Sequence, residues 1–166
     1  MSWEYKNNAN NTARFTLGEY DNVTYKTLIC VGINPSTATP NNLDPTLKKV
    51  KAVALSHNYK NWIMINVYPQ RATNPNNLHL NCNTQLHNDN IREIRYILNT
   101  FNNADILFAY GNLISKRAYL NDCLADVLGL ISSVQFTGNL YCIKHTVKGN
   151  PIHPLYQKVT TAFIPY

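Results

Sequence analysis

The sequence predicts an α/β fold: a three-layer α/β/α domain with a central, mainly parallel sheet of about four strands. Short apolar runs rich in β-branched residues alternate along the chain with longer segments whose apolar residues recur at helical spacing. This alternation is typical of a parallel sheet covered on both faces. Hydrophobic residues make up 45% of the 166 residues. That content suffices for one packed core, and residues 1–166 are interpreted as a single domain.

Four apolar runs are predicted to be the strands. The first, Thr27–Ile33, is closed by Asn34-Pro35, and its β-branched content indicates a strand buried on both faces. Three similar runs follow it along the chain: Asn61–Asn66, Asp105–Tyr110 and Leu140–Ile143. Residues 1–26 carry spaced aromatic side chains, and this segment is predicted to be an N-terminal hairpin or an edge strand.

Helix signals separate these runs. Asp44-Pro45 predicts the first helix, with Asp44 as the N-cap and the proline in the first turn. Further helices are predicted over Asn90–Thr100 and Leu113–Leu128, and His153-Pro154 is expected to open a last one.

Composition limits the function classes. The formal net charge is +6 and the basic residues are dispersed, which favours a basic face around a pocket and a polyanionic partner such as DNA or a nucleotide. No apolar run is long enough to span a bilayer, and the first residues lack a secretory pattern. We therefore expect a cytoplasmic protein with no membrane partner. The four cysteines lack metal-ligand spacing, so neither a metal nor a cofactor is expected.

Polar residues and glycines follow each predicted strand, and ligands of parallel α/β sheets bind beyond the carboxyl ends of the strands. Amide side chains offer a donor beside an acceptor, as the edge of a pyrimidine does. Nucleophile-elbow, phosphate-loop and dinucleotide motifs are absent. The residues predicted to bind a base or another substrate are Gly32, Ser36, Asn66, Tyr68, Gly111, Asn112 and Asn150. Tyr68 is the candidate for stacking on a base.

Three of these segments resemble motifs of one superfamily. Gly32-Ile33-Asn34-Pro35 is similar to the first motif of the mismatch-specific branch of the uracil-DNA glycosylase superfamily. Ile63–Asn66 resembles its strand ending in a base-reading Asn, and Ile152–Leu155 resembles its second, His-Pro-containing motif. More broadly, the motifs between Leu28 and Tyr156 resemble a bacterial and phage family catalogued as domain of unknown function 1643.

The resemblance implies a uracil-DNA-glycosylase-like fold and a set of roles. Asn34 would position a water near the sugar, Asn66 would pair with the base edge, and His153 would hydrogen-bond the departing base. Arg71 and Lys148 would hold phosphates. The most active branch has an Asp where this chain has Asn34, and an amide cannot take a proton from water. Asp44 is the nearest acid in sequence and is the third catalytic candidate, although a helix N-cap is the favoured explanation of this residue.

The predicted function is a glycosylase-like protein, with DNA repair or phage defence as its setting. It would recognise, and on the enzyme hypothesis excise, a pyrimidine or modified base in DNA or in a nucleotide. Two alternatives stay open. The pocket could bind a base or nucleotide without chemistry, as a sensor or a phage–host interaction module, or the protein could be a hydrolase or transferase of a small metabolite. Salt dependence separates the last alternative, because binding to a polyanion weakens steeply with salt.

Overall fold

The computed structural model describes residues 1–166 and shows a mixed α/β protein built on one seven-stranded sheet. Its strands are β1 (Ser2–Asn7), β2 (Arg14–Tyr20), β3 (Thr27–Gly32), β4 (Asn61–Asn66), β5 (Asp105–Phe108), β6 (Leu140–Cys142) and β7 (Ile164–Pro165). Its α-helices are α1 (Pro45–Ser56), α2 (Thr84–Thr100) and α3 (Tyr119–Ser133). Short 3-10 helices cover Pro75–Asn77, Gly111–Lys116 and Pro154–Tyr156. No helix combines the length and apolar character that crossing a membrane requires.

The strand order is β1-β2-β4-β3-β5-β6-β7. Pairing is parallel from β4 through β3 and β5 to β6, while β1 and β2 on one side and β7 on the other join antiparallel. The α/β class is thus confirmed, but the sheet is mixed and larger than the predicted one of about four mainly parallel strands. Of the three additional strands, β1 and β2 lie within residues 1–26, the segment predicted to be a hairpin or an edge strand. β7 escaped the apolar pattern because it is an exposed pair of residues.

Helices cover both faces of the central strands, which explains why every residue of β3 and β4 is buried. Successive side chains of a strand point to opposite faces. Accordingly, Ile29 and Val31 belong to the core cluster that includes residues of α2 and α3. Leu28 and Cys30 belong to a separate cluster that includes residues of α1. The carboxyl ends of β3 and β4 therefore open beside the start of α1.

The helix boundaries differ from the predicted ones where side chains cap or interrupt the chain. α2 begins at Thr84 rather than Asn90, because the Asn83 side chain accepts a hydrogen bond from the backbone N–H of Leu86. The predicted helix over Leu113–Leu128 is divided, since Arg117 is extended between the 3-10 helix and α3. The predicted C-terminal helix is a single 3-10 turn, Pro154–Tyr156, after which Gln157 is again extended.

Candidate functional site

One pocket lies at the carboxyl ends of β3 and β4, against the first turn of α1, and has a volume of about 150 Å³. A cavity of roughly this size holds one benzene-sized ring. The structure brings six of the predicted site residues to its wall: Gly32, Asn34, Ser36, Asp44, Asn66 and His153. They come from four separate segments of the chain, and the meeting of strand ends at one edge of the sheet explains their convergence.

Asn66 is the last residue of β4 and its side chain is 0% exposed, yet neither its Nδ2 nor its Oδ1 has a hydrogen-bond partner. Its backbone carbonyl accepts a hydrogen bond from Nδ2 of Asn90 at 2.9 Å. Gly32 is its neighbour across the strands, and a Cβ atom there would lie 3.0 Å from Asn66 Oδ1. Because buried polar groups without partners are rare, the Asn66 amide is a group for a ligand or water to satisfy.

Asn34 fixes the loop that follows β3 to the loop that follows β4. Its Nδ2 donates to the carbonyl oxygens of Ala72 at 2.8 Å and Pro35 at 3.0 Å. Ser36 adds a second link through a 2.8 Å hydrogen bond between its hydroxyl and that of Thr73. The amide hydrogens of Asn34 are therefore committed to the protein. Its Oδ1 makes no hydrogen bond within the chain and remains as an acceptor that could orient a water molecule.

Asp44 is the N-cap of α1 and also lines the pocket. Its Oδ1 accepts the backbone N–H of Leu47 at 2.9 Å, which confirms the predicted N-cap of α1. Its other carboxylate oxygen makes no hydrogen bond within the chain, and the residue lines the pocket. Asp44 therefore supplies a carboxylate to the pocket whose first motif lacks one.

His153 presents a neutral donor. Its Nδ1 accepts a hydrogen bond from the backbone N–H of Leu155 at 3.3 Å, so the neutral ring carries its proton on Nε2. Burial lowers the pKa of His153 below its ordinary value, and the charge of Asp44 opposes this shift. Gly111, with a φ of +63°, lies beside it: a Cβ atom at Gly111 would be 3.9 Å from the Cβ of His153.

Arg14, the first residue of β2, lines the pocket and was not among the predicted site residues. Its side chain is 1% exposed, its Nη1 donates to the carbonyl of Ala38 at 3.3 Å, and its Nε has no partner. Burial, then the nearby Arg71 cation, lowers the pKa of Arg14 to about 10, while Asp44 and Tyr5 act in the opposite direction. It is therefore still charged at neutral pH. The only signal in the sequence is a lone cation between Ala13 and Phe15.

Two predicted residues lie elsewhere because the protein itself uses their polar atoms. Tyr68 is 0% exposed; its hydroxyl bonds Nδ1 of His79 at 2.8 Å and accepts the N–H of Asn83 at 3.0 Å. The ring is packed in the core and is not part of the pocket wall. Arg71 is outside the pocket wall, and its guanidinium donates to Asn11, Tyr5, Ser36 and Ala38. In this position the N–H donors of Arg71 connect loops of the protein and are not directed to a phosphate in the pocket.

The loops after β5 and β6 form a separate polar cluster outside the pocket wall. Asn112 Oδ1 accepts hydrogen bonds from Thr146 Oγ1 at 2.8 Å and from Asn150 Nδ2 at 3.0 Å. These bonds use the oxygen of the Asn112 amide and the Nδ2 of Asn150, and neither residue belongs to the pocket wall. Lys148 is exposed in the turn between Thr146 and Asn150. It precedes Gly149, whose φ is +82°. No group of three or more His, Cys, Asp or Glu side chains is placed to hold a metal ion.

A family model described as "Protein of unknown function (DUF1643)" matches residues 14–155, and the chain belongs to that family. This confirms the family prediction and covers every residue of the pocket wall. No curated protein and no solved structure matches the chain.

Proposed function

We propose that this DUF1643 protein binds a single pyrimidine, or a modified pyrimidine, in the pocket at the ends of β3 and β4. The observation that carries the proposal is the Asn66 amide, fully buried at the pocket wall with its donor and its acceptor both unpaired. An amide offers a donor beside an acceptor, which matches the edge of a pyrimidine. The pocket volume of about 150 Å³ suits one such ring.

A base that enters this pocket from DNA must leave the stack, since Asn66 at the pocket wall is fully buried. A free nucleotide would enter with its base first. In both cases the sugar would remain at the mouth, near the groups that could act on its glycosidic bond. The helices on both faces of the parallel strands support a three-layer fold of the uracil-DNA-glycosylase type.

The chemistry that this arrangement supports is hydrolysis of the N-glycosidic bond. Water held by Asn34 Oδ1 attacks the anomeric carbon and gives its proton to the free oxygen of Asp44. The C–N bond breaks with its electron pair going to the base, and the Nε2–H of neutral His153 donates a hydrogen bond to the resulting anion. Asp44 thus takes the part of the acid missing at position 34.

Binding without turnover is the second candidate. The observation in its favour is that the amide hydrogens of Asn34 and one oxygen of Asp44 already serve loops and the α1 cap. A pocket with these bonds would hold a base firmly and leave its glycosidic bond intact.

The test is incubation with duplexes that carry uracil, mismatched thymine or hypermodified pyrimidines, followed by alkaline cleavage of any abasic product. Asp44→Asn is the informative variant, because Asn is as good an N-cap as Asp but cannot take a proton. We expect product from the wild type, and from D44N unchanged binding and unfolding temperature with little or no product. Binding without product on any duplex would contradict the enzyme hypothesis and support binding without turnover. Failure to bind any base would contradict both hypotheses.

A further inference from the structure

We propose that Arg14 is an anion-binding residue of the same pocket, so that the ligand carries a phosphate group as well as a base. This inference rests on the proposed function for the identity of the base, but the anion site itself rests on separate residues. Arg14 enters the pocket from β2, an antiparallel strand that lies outside the motifs from which the base site was predicted.

The first observation is the state of the Arg14 side chain. It is almost fully buried, it makes one hydrogen bond of 3.3 Å to a backbone carbonyl, and its Nε has no partner. A guanidinium has five N–H donors, and buried ones are normally satisfied. The pocket wall is therefore lined by a cation with unused donors.

The second observation is that Arg14 has no counter-ion in direct contact; the Asp44 carboxylate acts on it only from beyond ion-pair distance. None of the ion pairs of the protein, defined by a nitrogen–oxygen distance of at most 4.0 Å, includes Arg14 or Arg71. Both guanidinium groups nevertheless donate to the same carbonyl oxygen, that of Ala38. Two cations thus converge beside the pocket with no carboxylate in contact. A buried charge without a partner is strongly unfavourable, and an anionic ligand would supply the partner.

The chemistry of the group selects the ligand. The planar fork of Arg binds oxyanions through two parallel hydrogen bonds. On a nucleic-acid ligand the oxyanion is a phosphate, either the terminal one of a free nucleotide or a phosphodiester next to a flipped base.

The test compares thermal unfolding with inorganic phosphate and with sodium chloride at equal ionic strength. We expect phosphate to raise the unfolding temperature of the wild type, with at least about tenfold weaker apparent affinity in Arg14→Met. Without ligand, R14M should unfold at the same or a higher temperature, because the unpaired buried cation is gone. Arg92→Met removes an exposed arginine and the same net charge, and it should respond to phosphate like the wild type.

Two results would overturn the inference: no phosphate effect on the wild type, or an equal effect on R14M. If R14M does not fold, Arg14→Lys replaces it, because this variant keeps the positive charge but loses the planar guanidinium. The inference then requires that R14K bind phosphate measurably but more weakly than the wild type does. Binding of a pyrimidine nucleoside, its 5′-monophosphate and a short oligonucleotide assigns the source. Equal affinity of the wild type for all three would contradict a phosphate site.

These readouts separate this inference from the proposed function. Inorganic phosphate contains no base, so its binding is independent of Asn66. A nucleoside contains no phosphate, so a loss of nucleoside binding in Asn66→Ala reports base recognition alone. Either result can fail while the other stands.

Discussion

Strand β4 begins and ends with a fully buried asparagine, and the fold treats the two in opposite ways. At the amino end, Asn61 Nδ2 donates to Asn22 O at 2.8 Å and to Thr27 Oγ1 at 2.9 Å, and its Oδ1 accepts the N–H of Asp21 at 3.1 Å. At the carboxyl end, Asn66 has no side-chain partner and lines the pocket. The fold satisfies the side chain at the amino end and leaves the one at the carboxyl end without a hydrogen-bond partner.

Two aspartates, Asp105 and Asp44, differ in the same way as the two asparagines. At the amino end of β5, Asp105 accepts the Tyr59 hydroxyl at 2.6 Å on one oxygen and the N–H of Asn139 at 2.8 Å on the other. Burial alone would raise the pKa of Asp105, but these hydrogen bonds outweigh it and hold the pKa below its ordinary value. At the pocket, Asp44 keeps one oxygen without a protein partner. Residue type and burial are therefore poor guides to function here, while hydrogen-bond satisfaction separates the two ends.

The largest expected effect is on ligand binding by Asn66→Ala. Removing two hydrogen bonds to the base should cost about 2–3 kcal/mol, which is roughly a 30- to 150-fold loss of affinity for a pyrimidine nucleoside. Stability without ligand should stay the same or rise, because an unsatisfied buried amide disappears. Calorimetric titration and urea unfolding measure the two quantities. An unchanged nucleoside affinity in N66A would contradict the proposal that Asn66 binds the base.

The reverse result is expected for Asn61→Ala. That substitution leaves a backbone N–H, a backbone carbonyl and a hydroxyl without their partner, and it should lower the free energy of unfolding by about 2–4 kcal/mol. The folded fraction should bind nucleoside with the affinity of the wild type. Urea unfolding of both alanine variants checks the contrast, and a smaller loss of stability for N61A than for N66A would contradict it.

The sequence predicted β4 and the start of α1 well, because both depend on local signals: a continuous apolar run and an Asp-Pro cap. It also identified six residues of the pocket, since strand ends that share an edge must meet. Tyr68 was misplaced because the chain continues to pair beyond β4: the N–H of Tyr68 donates to Ile33 O at 2.9 Å, and the ring is buried. Arg14 was missed because its relation to Ala38 and the pocket exists only in three dimensions.

A smaller effect is expected from pH. Burial lowers the pKa of His153 below 6.5, so the neutral ring that donates from Nε2 persists as the solution is acidified past that value. The stabilising contribution of the neutral ring is present above about pH 6.5 and is lost as the pH falls through the lowered pKa. Nucleoside affinity should therefore be flat from about pH 8 to pH 6.5 and decline only where the pH falls through the lowered pKa. His153→Gln, which cannot titrate, is the control and should show no such decline, with an NMR titration of the imidazole giving the pKa itself.

The most direct measurement of the contrast within β4 is the NMR signal of the two side-chain amides during titration with a pyrimidine nucleoside. Our account predicts that the Asn66 Nδ2 resonances shift to saturation and exchange more slowly with water, while those of Asn61 stay in place. Saturable nucleoside binding with an unmoved Asn66 amide would contradict the assignment of this residue as the base reader.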